Sequence, residues 1–145
     1  MTARSIAHPP ARGCDHLDDA ALVARFESLA IAPPDFRHRE HVRLAYAMLR
    51  GADFGDAGVR FRAALRRFAA AAGVPDRYHE TLTWAYLAVT CRRMAEDPSA
   101  ATSLDFIARH PDLLDHRGGA VARHYDVAAI TASPLARAVF VLPEH

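Results

Sequence analysis

The chain has 145 residues, 51% of them hydrophobic, with 18 basic side chains against 17 acidic ones and two cysteines. This is one domain's worth of chain with ample apolar content for a core. It excludes a transmembrane helix, because no apolar run reaches 18 residues. It also excludes a disulfide scaffold, and the near-neutral charge offers no basic stripe for nucleic acid.

Residues 1–14, with Pro9, Pro10 and Gly13 and no periodic pattern, are expected to form a flexible leader. They lack the apolar stretch of a secretory signal, and the free thiols Cys14 and Cys91 suit the cytoplasm. The domain proper then covers residues 15–145. A first helix is expected from about His16 to Ala30, capped by Asp15, with Leu22, Phe26 and Leu29 on its apolar face. Pro33 and Pro34 end it. A second helix runs from about Phe36 to Arg50, capped by Asp35, burying Val42, Ala45, Tyr46 and Leu49.

The third helix, about Asp56 to Ala72, carries Phe61, Leu65, Phe68 and Ala72 on one face and arginines on the others. Gly73 and Pro75 separate it from a long, aromatic-rich fourth helix, about Asp76 to Glu96. A fifth helix spans roughly Ala100 to Arg109. Helical turns follow to Asp115 and over Gly119 to Tyr125, and Ser133-Pro134 caps a last segment before Phe140-Val141-Leu142 packs onto the core. No strand alternation or repeat is present. The expected fold is all-α: a single-domain helical bundle of five to six helices.

Nine histidines are far more than ordinary usage, and all 18 basic residues are arginine, a mark of a GC-rich bacterial genome. Two segments concentrate the chemistry: Asp35 to Tyr46, with His38, His41 and Arg43, and Asp76 to Thr83, with Tyr78, His79 and Glu80. Short connections make helices two and four parallel, so both segments lie at one end of the bundle. His38 and His41, at i and i+3, share a face. A helix N-terminus favours neutral imidazole and ionised carboxylate, the forms that a metal binds. His41, His79 and Glu80, with His38 as a further ligand, would suit a divalent metal, zinc or iron, with an open coordination position. Tyr78 or Arg43 would then orient substrate or stabilise developing charge. Down helix four, His79, Thr83, Tyr86 and Thr90 form a semi-polar stripe suited to a pocket wall. His116 and His124 are possible additional ligands.

The motifs Phe36-x-His38-x-x-His41-x-Arg43-x-Ala45 and Tyr78-His79-Glu80-Thr81-x-Thr83 resemble those of small helical bacterial proteins of uncharacterised function. The resemblance covers about residues 15 to 142 and implies a shared fold with no activity to carry over. The order His41, His79-Glu80 and a late Asp115 or Asp126 is also loosely similar to the HD-domain metal hydrolases. Those use a His, a His-Asp doublet and a late Asp, whereas the doublet here is His-Glu.

The expectation is therefore a small metalloenzyme acting on a small-molecule substrate, with no nucleic acid or membrane partner and a possible homodimer. One alternative is a metal-free general acid/base enzyme, a cyclase or isomerase, using His41 or His79. The other is a non-catalytic helical interaction module.

Overall fold

The computed structural model describes residues 13–144. Among them are seven α-helices and no strand: α1 (Asp19–Glu27), α2 (His38–Arg50), α3 (Phe54–Ala71), α4 (Glu80–Glu96), α5 (Ser103–Arg109), α6 (Val127–Ala132) and α7 (Pro134–Ala138). The expected all-α bundle is present, with α6 and α7 as short additions. Most of the expected leader lies outside the described residues, but Cys14 does not behave as leader, being buried at 2% exposure.

Capping explains where the helices depart from expectation. Asp18, and not Asp15, caps α1 by accepting from the Ala21 amide at 2.8 Å, while Asp15 pairs with Arg39. The two proline-led segments before α2 and α4 are 3-10 turns, Pro33–Asp35 and Pro75–Arg77, so both helices begin later than periodicity suggests. Asp53, Thr102, Asp126 and Ser133 cap α3, α5, α6 and α7 in turn.

Helix α2 is central, packing against α1, α3, α4 and α5. Its Leu44, Ala45, Met48 and Leu49 join Leu22 and Phe26 of α1 and Phe61 and Leu65 of α3 in the main core. Val42 and Tyr46 lead a second cluster with Phe106, Ile107 and Leu113. A Cβ on Gly58 would run into the indole of Trp84, so this glycine sets the close approach of α3 and α4.

Arg43 leaves the same central helix and has no exposed surface. Its guanidinium donates to the carbonyl oxygens of Cys14 and Leu17, at 2.7 and 2.8 Å, and to Ser103 Oγ at 2.7 Å. Ser103 in turn donates to Asp19, whose carboxylate lies 3.5 Å from the guanidinium. A buried charge is tolerated because it is neutralised and its donors are satisfied. This one side chain ties the segment before α1, α1 itself and α5 to α2.

The C-terminal segment is clipped to α4 by polar contacts where an apolar fit was expected. Thr81 Oγ1 meets the Ala136 and Val139 carbonyls and accepts from the Val141 amide, and the Tyr125 hydroxyl donates to the Val141 carbonyl. Phe140 and Leu142 stay largely exposed.

Replacing Arg43 with alanine leaves two carbonyls without their donor and Asp19 without its counter-charge, and should cost about 3 to 5 kcal/mol. Arg43→Lys should recover less than half of that, because one ammonium cannot span three separated acceptors. Urea unfolding followed by circular dichroism measures both, and an unchanged midpoint for Arg43→Ala would contradict this account.

Candidate functional site

The first turns of α2 and α4 and the C-terminal half of α3 enclose a cavity of about 440 Å³. Phe36, Val42, Phe61, Leu65, Phe68 and Leu82 make its walls largely apolar. Into it face His38 and His41 from α2, His79, Thr83 and Tyr86 from α4, Tyr78 from the turn before α4, and His116 from the connection between α5 and α6. The expected meeting of the two motif segments at one end of the bundle is thus present.

The hydrogen bonds fix what each ring can do. His41 Nδ1 lies 2.9 Å from the Arg37 carbonyl, so this nitrogen carries the proton and Nε2 is left as a lone-pair acceptor. Burial pushes its pKa down to about 4, with His38 adding to the shift and the Arg37 carbonyl opposing it. His38 donates from Nε2 to the Leu113 carbonyl at 2.8 Å, leaving Nδ1 as the acceptor. Its pKa is lowered too, chiefly by burial and further by His116, whose ring centre is 5.6 Å away. Tyr86 packs edge-on against His38 at 4.7 Å, and its hydroxyl is buried without a partner among the described residues. Burial, helped by Asp115, raises the Tyr86 pKa to about 12, so the phenol stays a donor.

His79 is spoken for. Its Nδ1 accepts the Leu82 amide at 3.1 Å, capping α4, which obliges Nε2 to carry the proton that it donates to the Ile130 carbonyl at 2.8 Å. No lone pair remains for a metal. Glu80 turns away from the cavity to Arg62, at 2.8 Å, and to the Tyr78 hydroxyl, at 2.5 Å. Although burial opposes it, these two partners hold its carboxyl below the usual range. Tyr78 is the donor in that pair, and its own pKa is raised by burial and by Glu80.

The expected ligand set His41, His79 and Glu80 is therefore not brought together. Among the described residues, no three His, Cys, Asp or Glu side chains are grouped to hold a metal ion. Arg43 is placed outside the cavity, locked into the core as described above, because its acceptors lie on α1, α5 and the segment before α1. His124 is exposed and does not reach the cavity. Asp115 accepts the Arg117 and Gly118 amides and Asp126 caps α6, so each serves local backbone. Tyr86 lines the cavity with its ring and holds a buried hydroxyl that has no partner among the described residues. The stripe His79, Thr83 and Tyr86 signalled this wall, while Thr90 is buried beyond it. The Phe61-Leu65-Phe68-Ala72 face of α3, read as core, serves both core and cavity wall.

Comparison with protein-family models, curated proteins and solved structures finds no match to this chain.

His41 is held neutral by the fold, so its contribution to stability is complete above pH 6.5 and is lost as the pH falls toward 4. The loss should reach about 2 kcal/mol, allowing for solvent that reaches the cavity. His41→Gln should flatten that part of the stability–pH curve in chemical unfolding, and an unaltered curve would refute the assignment. Loss of the α4 cap in His79→Ala should cost about 1 kcal/mol or more, and His79→Asn should recover part of it. Equal midpoints for the two variants would count against the capping role.

Proposed function

We propose that this chain binds a small, largely apolar molecule in the cavity and performs metal-free acid–base chemistry on it, of the isomerase or cyclase kind. The observation that carries the reading is that His38 and His41, each with one ring nitrogen not spent on the backbone, and Tyr86, whose buried hydroxyl has no partner among the described residues, line one apolar cavity. Such a site orients a substrate through few polar contacts inside an apolar shell. The metal reading finds less support, since His79 and Glu80 have other partners, and His38, His41 and His116, although they line one cavity, are not grouped to hold an ion among the described residues.

In the proposed reaction, His41 Nε2 takes a proton from a carbon next to a substrate carbonyl. The Tyr86 hydroxyl donates to the carbonyl oxygen as negative charge develops there. His41 then returns the proton to another carbon, which completes an isomerisation without net gain or loss. A pKa of about 4 makes His41 a weak base in the empty cavity. The developing oxyanion, in surroundings with little water, favours the imidazolium and offsets that weakness. His38 Nδ1 accepts from a second polar group of the substrate.

The same low pKa favours a second reading, in which the cavity binds its ligand without transforming it. Both readings place the chain in the cytoplasm, as the free thiols suggest. Among the described residues no helix is long and apolar enough to cross a membrane.

Incubating the protein with a panel of small ketones and enones in deuterated water, followed by proton NMR, separates the two. Catalysis predicts deuterium uptake that falls by about 100-fold or more in His41→Gln and about 10-fold or more in Tyr86→Phe. The rate should be flat from about pH 5.5 to 10, falling below that as His41 protonates. Binding without exchange would leave the carrier reading. Exchange abolished by a chelator and restored by zinc or iron would return the metal.

A further inference from the structure

Among the described residues, Arg77 is the one formally charged side chain that lines the cavity, and no carboxylate does. It is exposed, on the 3-10 turn before α4, and makes no ion pair or hydrogen bond among the described residues. Among the described residues eight other arginines pair with carboxylates, including Arg43 with Asp19, Arg60 with Glu27, Arg62 with Glu80, Arg93 with Asp112 and Arg109 with Asp97.

Two more cations without carboxylate partners lie against the same turn. Arg137 donates to the Asp76 carbonyl at 2.6 Å and the Tyr78 carbonyl, and Arg66 sits 5.8 Å from the centre of the Tyr78 ring. The Asp76 carboxylate on this turn offsets one of these three cations and the nearby Glu80 is already neutralised by Arg62, so this end of the cavity keeps a net positive charge. The interior is the opposite case. Its histidines from α2 and α4 are held neutral by burial, which outweighs the opposing pull of their carbonyl partners, and its walls are aromatic and aliphatic. A buried anion there would find no counter-charge to offset its lost hydration.

From this division of charge we infer that the ligand is an amphiphilic carboxylate: an apolar body fills the cavity, and its anionic group stays in the mouth against Arg77. This rests on the cavity being the binding site proposed above, and it adds Arg77 as the residue that selects for the acid. Arg77 acts on recognition and takes no part in the proton transfer.

Titration calorimetry with matched pairs tests the idea. One set is straight-chain carboxylates of six to twelve carbons against the corresponding primary alcohols, and the other is 3-phenylpropanoate against 3-phenylpropanol. The acid of at least one pair should bind about five- to tenfold more tightly than its alcohol, the range open to exposed charge pairs acting together. That preference should collapse in Arg77→Gln, survive in Arg77→Lys, remain in the control Arg67→Gln, and shrink at high salt. Because Arg77 is exposed and holds nothing else, Arg77→Gln should keep the parent melting temperature.

Alcohols binding as tightly as their acids, or an acid preference untouched by Arg77→Gln, would overturn the inference while leaving the cavity as the binding site. Failure of every acid and every alcohol to bind would overturn both.

Discussion

The burial of Arg43 is the constraint on which the rest of the molecule turns. Apolar burial is non-directional, so it orients a helix buried on most sides less sharply than hydrogen bonds do. Arg43 supplies that direction because a buried guanidinium must keep its donors satisfied, and its acceptors come from three other parts of the chain. On a helix of 3.6 residues per turn, the face carrying His38, His41 and Val42 lies roughly opposite Arg43. Pinning one face toward α1 and α5 therefore aims the other at α3 and α4, where the cavity is. A residue outside the site sets its geometry.

The cavity reverses the usual relation between histidine and charge. Imidazole near neutrality is ordinarily poised between two states. Here burial favours the neutral ring of His38, His41 and His79, and backbone carbonyls fix which nitrogen keeps the proton. Each ring has a direction: one nitrogen donates to the fold, and in His38 and His41, which line the cavity, the other makes no hydrogen bond among the described residues. Charge is confined to the mouth, so polarity is graded along the opening from ionic to neutral to apolar.

Much of the fold was legible in the sequence, because proline, glycine and apolar spacing act locally. The helices, their order and the shared end of α2 and α4 follow from those signals. The site was half legible. The pairing of His38 and His41, and the stripe through Thr83 and Tyr86, depend only on helical period. The partners of Arg43, His79 and Glu80 were not legible because they are distant in sequence: Ser103 for the first, Ile130 for the second and Arg62 for the third. A charged or basic side chain beside a helix start looks the same whether it faces a ligand or a backbone carbonyl. Asp15 shows the same limit on a smaller scale, since pairing with Arg39 removes it from the cap that its position suggests.

The bond from His79 to the Ile130 carbonyl has a consequence for the order in which the molecule is made. Translation delivers the helix that His79 starts well before it delivers Ile130, 51 residues later. Until then the ring still caps α4 through Leu82, yet its outer nitrogen has only water. The wall it forms is finished by the last part of the domain to leave the ribosome. A nascent chain stalled before Ile130 holds nearly every side chain of the cavity and lacks the carbonyl that sets His79 in place.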